Sequence, residues 1–297
     1  MSRYMNSRYA ALDAYVPGEQ PKGEFIKLNA NESPYPPSPA VLAAVRGEEG
    51  SLLNMYPDAA CRALDAALAE SLGVGSENIV CANGSDDILN FCFMAYGELG
   101  AIFPEITYGF YEVFCALHGI DAVRAPMHEG FTLDPADYFD AQRLVVIANP
   151  NAQTGVELPQ AAIEAIVQRN SGSVVVVDEA YVAFGGESAL PLTKKYPNVL
   201  VVRTFSKSRS LAGARLGFAV GSAELIDDLR RLKFSTNPYS VNRCALAAGV
   251  AAVRDSAYYE ANCARIAAER ERFAAALRQR GWYLTDSKAN FVLAKPG

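Results

Sequence analysis

Val174-Val175-Val176-Val177-Asp178-Glu179-Ala180-Tyr181 is the stretch that decides the fold. Four valines in a row carry no polar alternation, so a strand built from them has both faces buried. Further apolar runs at 78–82, Leu144–Ala148, 199–202 and 216–220 also read as strands. Between them lie helix-period stretches: Arg62–Leu72 closed by Gly73, then 86–95, then 159–169 opened by a proline. Buried strands alternating with amphipathic helices predict an α/β chain, with a mostly parallel sheet and helices on both faces.

Away from this centre the chain changes character twice. Pro17, Pro21, Pro34, Pro36, Pro37 and Pro39 break any regular pattern, which predicts an extended arm over residues 1–44. The large domain is expected over 45–240. Beyond it, residues 241–253 are apolar and alanine-rich, and 257–280 predict a long helix stopped by Gly281. Short strands are expected at 282–284 and 290–294. Residues 241–297 would thus supply an interdomain helix and the start of a smaller α+β domain.

Bulk properties remove several classes of function. A length of 297 residues can bury a large core, and 51% hydrophobic with 20% charged residues is ordinary for a globular protein. The net charge is −6 with no basic block, so neither nucleic acid nor an anionic membrane is an expected partner. No apolar stretch has the length to cross a bilayer, and Met1-Ser2-Arg3-Tyr4 opens no signal-peptide pattern, so the cytoplasm is expected. Cys61, Cys81, Cys92, Cys115, Cys244 and Cys263 form no Cys-x-x-Cys and read as reduced core residues. With only His118 and His128, neither a metal centre nor a histidine triad has its ligands.

Four motifs stand where an open parallel sheet gathers its functional residues, at the strands' carboxyl ends. Asn83-Gly84-Ser85-Asp86-Asp87 follows the first strand; Gly84 permits close approach, and Ser85 caps a helix whose first N–H groups suit a phosphate. Asp86 beside that anion is electrostatically unhelpful, so the backbone amides must do the binding; taken alone, an ordinary capped helix start is the simpler reading of the motif. Asn149-Pro150-Asn151 closes the next strand, where Asn151 is either a turn residue or a donor to a ring oxygen. Asp178 ends the valine strand, and a buried carboxylate is costly without a cation. A protonated pyridine nitrogen supplies one; a surface arginine is the alternative.

The last motif is Thr204-Phe205-Ser206-Lys207-Ser208-Arg209-Ser210-Leu211-Ala212-Gly213-Ala214-Arg215. Hydroxyls, an amine nucleophile and a guanidinium in one loop suit a phosphorylated aldehyde held covalently by the lysine. A solvated lysine in a strand-to-helix loop is the bland reading. Tyr108, in Thr107-Tyr108-Gly109-Phe110-Tyr111, is placed to stack on a flat ring or to join the core.

In this order, these motifs resemble those of the fold type I pyridoxal-phosphate aminotransferases. Within them the chain is most similar to the histidinol-phosphate aminotransferase family, through Tyr15-Val16-Pro17-Gly18-Glu19-Gln20-Pro21 and Lys27-Leu28-Asn29-Ala30-Asn31-Glu32 in the arm. Asn54-Met55-Tyr56-Pro57-Asp58 and Pro238-Tyr239-Ser240-Val241-Asn242 fit as well. The resemblance implies that Lys207 binds pyridoxal 5'-phosphate and moves the substrate's α-proton. Asp178 then pairs with the ring nitrogen, Asn151 and Tyr181 meet the ring hydroxyl, and Tyr108 stacks. Gly84, Ser85, Asp86, Thr204, Ser206 and Arg215 surround the phosphate, joined by Tyr56 of the partner subunit in a homodimer with shared sites. Tyr15 and Asn31 lie near the substrate.

The implied reaction moves an amino group between histidinol phosphate and a 2-oxo acid, as in histidine biosynthesis. Two departures from the family pattern stand out. Ala152-Gln153 replaces the usual Asn-Pro after Asn-Pro-Asn, and the chain stops at Gly297, before a late family arginine that grips the substrate. The second departure implies cofactor binding with impaired turnover and an incomplete small domain. Alternatives are a threonine-phosphate decarboxylase-like enzyme and a cofactor-binding but inactive homologue. A nucleotide-binding dehydrogenase is disfavoured, because no Gly-x-Gly-x-x-Gly opens the first strand–helix unit.

Overall fold

A computed structural model of the protein describes residues 2–7, 9–10, 12, 18–19 and 26–297. In chain order it contains α1 (Pro39–Arg46), α2 (Arg62–Leu72), β1 (Ile79–Ala82), α3 (Ser85–Tyr96), β2 (Ala101–Pro104), α4 (Phe110–His118), β3 (Ala122–Ala125) and β4 (Leu144–Ala148). There follow α5 (Gln160–Arg169), β5 (Val175–Asp178), β6 (Val199–Thr204), β7 (Gly217–Val220), α6 (Ala223–Thr236), α7 (Arg243–Arg254), α8 (Ser256–Gln279), β8 (Tyr283–Leu284) and β9 (Ala294–Lys295).

Seven strands form one sheet in the order β1-β7-β6-β5-β4-β2-β3. Pairing is parallel from β6 through β5, β4 and β2 to β3, whereas β7 runs antiparallel to both β6 and β1. The valine strand sits centrally and alternates between the two layers. Val176 packs with Ile88, Phe93 and Ile226 on one face, while Val175 and Val177 pack with Ile163 and Ile166 of α5 on the other. All three valines are fully buried, each contributing about 1.5–3 kcal/mol. This is the mostly parallel α/β sheet, with helices on both faces, that the sequence predicted.

The helices begin where local chemistry starts them. Ser38 accepts from the Val41 amide, with Pro39 in the first turn of α1, and Ser222 and Asn242 cap α6 and α7 in the same way. Gly73, at φ +63°, ends α2 in the left-handed conformation that glycine adopts freely.

Several sequence expectations need correcting. Residues 39–44, the end of the expected arm, belong to helix α1, which packs on α7 through Val41. The last strand is Ala294–Lys295, pairing with Tyr283–Leu284, rather than residues 290–294. Strands β2 and β3 and helices α4 and α6 were not read from the sequence at all. β2 is short and ends in a proline; β3 is an edge strand with Val123 and Arg124 exposed, so neither presents a long apolar run.

Candidate active site

Strand direction gathers the site. β1, β2, β4, β5 and β6 all end at one edge of the sheet, and the reversed β7 begins there. Its antiparallel course brings Arg215, which lies before a strand, to the same edge as residues that lie after strands: Ala82 opposes Gly217, which opposes Thr204. Asp178 is level with Ala148 and Val202.

Asp178 is 4% exposed and ends β5. Oδ2 accepts from the Tyr111 hydroxyl at 2.8 Å, and Oδ1 accepts from the Ala180 amide at 3.2 Å. Burial raises its pKa to about 6 against those two donors, and the nearby carboxylates Asp86 and Glu179 push the same way. Among the described residues no basic side chain pairs with it. The surface-arginine alternative belongs instead to the next residue: Arg203 donates from Nε to Glu179 at 2.9 Å, and Ser188 and the Ala189 amide complete that carboxylate. Of the adjacent acids, Glu179 is structurally paired and Asp178 faces the site without a cation.

Lys207 lies in the loop after β6, partly buried. Its Nζ donates to the Ala30 carbonyl at 2.6 Å and stands 5.8 Å from the centre of the Tyr181 ring. Burial pushes the amine below the usual lysine range, partly offset by the carboxylates of Glu32 and Asp86. This is no solvated surface lysine. The Tyr181 hydroxyl accepts from Asn31 Nδ2 at 3.2 Å, and Asn290 donates to the Asn31 carbonyl at 2.9 Å, so the arm segment is tied across the lysine. Beside it runs a groove of about 930 Å³, lined among others by Asn31, Ala152, Arg265 and Phe291.

The fourth corner is the start of α3. Gly84, not Ser85, is the N-cap; Ser85 is the first helical residue, and no side chain caps the helix. Its leading N–H groups are therefore not taken up by a cap. Gly84 has φ +85°, and a Cβ there would lie 2.5 Å from Arg215 Nη2. A Cβ on Gly217 would collide with the backbone of Gly84 and Ser85. Gly217 thus allows a backbone approach that any side chain would block, while Gly84 supplies a φ that glycine adopts freely. Arg215 and the Tyr108 hydroxyl each donate to Asp86, at 2.7 and 2.8 Å. Thr204 donates to the Leu216 carbonyl at 3.3 Å and accepts from the Ser206 amide at 3.1 Å; both hydroxyl residues are buried.

The remaining candidates divide. Asn151 is 2% exposed and acts as a turn residue, accepting from the amides of Gln153 and Thr154 while one amide hydrogen goes to the Ile106 carbonyl at 2.8 Å. Its second amide hydrogen remains for another acceptor. Tyr56 stands apart from these residues, 76% exposed and stacked on Tyr239 at 4.5 Å. Tyr15 lies outside the described residues. Tyr111 is the residue that sequence reasoning missed; it read as one more core aromatic, and only the fold brings its hydroxyl to Asp178.

Pyridoxal phosphate fits these residues. The orphaned buried carboxylate needs a cation, the uncapped helix start and its two glycines leave room for an anion, and a desolvated amine stands close by. The six described cysteines are unpaired, and no group of three or more metal-ligating residues occurs among the described residues. Nor is any described helix long and apolar enough to cross a membrane.

Comparison with known proteins agrees with this chemistry. The chain is 46% identical to histidinol-phosphate aminotransferase 1 of Hydrogenovibrio crunogenus over 99% of its length and 84% of that protein's. It is 47% identical to the histidinol-phosphate aminotransferase of a Marinomonas species, with the same shares covered. Among solved structures, the histidinol-phosphate aminotransferase of Sinorhizobium meliloti in complex with pyridoxal-5'-phosphate superposes with a TM-score of 0.82 at 30% identity, covering 90% of this chain and 74% of that one. Residues 23–297 match the family described as aminotransferase class I and II, and the chain belongs to that pyridoxal-phosphate-dependent family.

Proposed function

We propose that this chain catalyses transamination between histidinol phosphate and a 2-oxo acid, 2-oxoglutarate being the expected acceptor, in histidine biosynthesis. The observation that carries the substrate is the sustained 46% identity to aminotransferases named for histidinol phosphate. We place the reaction in the cytoplasm and in a homodimer. The exposed row Leu53, Met55 and Tyr56 is consistent with a partner surface that lends Tyr56 to the neighbouring site.

Pyridoxal phosphate, when bound, supplies an electrophilic carbon and a ring that takes up the electrons of a broken Cα–H bond. The chain's residues do the rest. Lys207, whose amine burial pushes below the usual lysine range, would hold the cofactor and then carry the α-proton. Asp178 keeps the ring nitrogen protonated by offering the buried carboxylate that lacks a cation. Tyr108 covers the ring; Asn151 and Tyr181 orient its hydroxyl. The α3 amides with Gly84, Ser85, Thr204, Ser206 and Arg215 hold the phosphate, and Asp86 orients Tyr108 and Arg215. Asn31 faces the groove where substrate enters, and Tyr15 is proposed to join it.

The visible spectrum of the purified protein, followed with a panel of amines, tests this reading. Histidinol phosphate should convert the bound cofactor, and 2-oxoglutarate should restore it with release of glutamate. Carbon dioxide from threonine phosphate would instead identify the decarboxylase alternative.

A further inference from the structure

Tyr111 is fully buried on α4, yet its hydroxyl does not serve the core. It turns to Oδ2 of Asp178 at 2.8 Å, while the Ala180 amide holds Oδ1. The ring itself is gripped by packing, 5.7 Å from both Phe103 and Tyr108 and nearly perpendicular to Tyr108. A buried phenol therefore reaches the buried acid from a fixed platform, and the same ring supports the aromatic proposed to cover the cofactor.

We propose that Tyr111 is a positioning residue for the transamination, whose hydroxyl fixes the Asp178 carboxylate and holds it ionised, ready to pair with a protonated ring nitrogen. This rests on the proposed role of Asp178. A proton shared between a ring nitrogen and a carboxylate goes to the stronger base. A donor on the carboxylate makes it the weaker base and leaves the proton on the ring. Among the described residues, the Ala180 amide is the one other donor to this carboxylate, and no second side chain donates to it. The other titratable groups facing Asp178 are Asp86 and Cys92 on α3 and Glu179 and Tyr181 beyond β5, and none is a cation. Burial raises the Tyr111 phenol well above its ordinary range, so it remains a donor at any working pH.

The test begins on apoprotein, where no cofactor chemistry intervenes. Carbon-13 NMR of labelled aspartate, with Asp178→Asn used for assignment, reads the Asp178 titration. Tyr111→Phe keeps the ring and removes the hydroxyl. The Asp178 midpoint should rise by about one to two pH units, the equivalent of one hydrogen bond to a charged group. Fluorotyrosine introduced at Tyr111, a stronger donor, should move the midpoint down. The loaded Tyr111→Phe protein should lose kcat about tenfold or more with KM little changed, and its visible band should titrate at a shifted pH. An Asp178 midpoint unmoved by fluorotyrosine, or by Tyr111→Phe in a folded protein, overturns the inference. Wild-type protein that binds no pyridoxal phosphate overturns both this inference and the reading it rests on.

Discussion

Arg215 donates from Nη2 to Oδ2 of Asp86 across 2.7 Å at the first turn of α3. An acid beside a phosphate cradle looks misplaced in the sequence. In the fold it aims two donors, because Tyr108 binds its other oxygen. Arg215 thereby lies over Gly84, whose φ of +85° is a conformation that side chains rarely adopt.

Arg215→Ala should separate cofactor binding from folding. The pair is half exposed, 45% and 35% by side chain, so its loss should cost the apoprotein no more than about 1 kcal/mol. A guanidinium hydrogen bond to a phosphate is worth roughly 1.5–3 kcal/mol, which predicts about ten- to hundredfold weaker binding of pyridoxal phosphate. Titration of apoprotein with the cofactor measures this directly. Affinity equal to wild type would remove Arg215 from the phosphate site.

Asp178→Asn should stabilise the apoprotein while abolishing most turnover. The native carboxyl titrates at about 6 against an ordinary 3.8, so between those values the folded state binds more protons than the unfolded one. Stability then falls as pH rises through that window, and the penalty is complete above about 6. Its size is of order 3 kcal/mol, two pH units at 1.36 kcal/mol each. An amide has no such titration. Urea denaturation at pH 8 should therefore find the variant at least as stable as wild type, with the advantage shrinking toward pH 4. A variant destabilised at pH 8 would show that Asp178 is held by a partner rather than waiting for one.

The sequence shows the elements whose signal is local. β4 and α2 are read to the residue, because an unbroken apolar run and a helix closed by Gly73 need no context. Lys207, Asp178 and Gly84 are recognisable for the same reason, each standing at the end of a buried strand. What stays hidden depends on assembly. Tyr111 becomes more than a core ring only through a contact 67 residues away in sequence. Arg215 is read from the sequence as part of the Lys207 loop, but the backward course of β7 that brings it there is not, because no spacing rule reveals strand direction. α6 buries only Ile226, Leu229 and Lys233, so its apolar stripe is too thin to stand out.

Tyr56 makes a claim about assembly. Arg243 pins the backbone of Met55 and Tyr56 through bonds of 3.2 and 3.1 Å, yet the Tyr56 ring is presented to solvent. Fixed backbone and exposed ring suit a residue used by another subunit. Alone, Tyr56→Phe should be weak and Lys207→Ala inactive. Mixed and reassembled, they should regain activity, because one of the two shared sites then combines an intact Lys207 with an intact Tyr56. Active protein that sediments as a monomer would refute the arrangement.

Lys207 should carry the cofactor to the exclusion of every other lysine, and geometry explains the choice. Lys233 is the more deeply buried, but its amine is committed to the Ala59 carbonyl at 2.9 Å and lies 3.2 Å from Cys61 Sγ, beneath α2. Lys194 donates to the Gly73 carbonyl and sits near the start of β6, at the opposite edge of the sheet from Asp178. Among the described residues, only Lys207 combines a desolvated amine with Tyr181, Asp86 and Arg215 in its surroundings. Borohydride reduction followed by digestion should leave the cofactor on a peptide containing Lys207. Lys207→Ala should bind pyridoxal phosphate reversibly, without that label and without transamination, since the proposed phosphate cradle and Asp178 are untouched. Label recovered on Lys233 or Lys194 would mean that the site lies elsewhere in the fold.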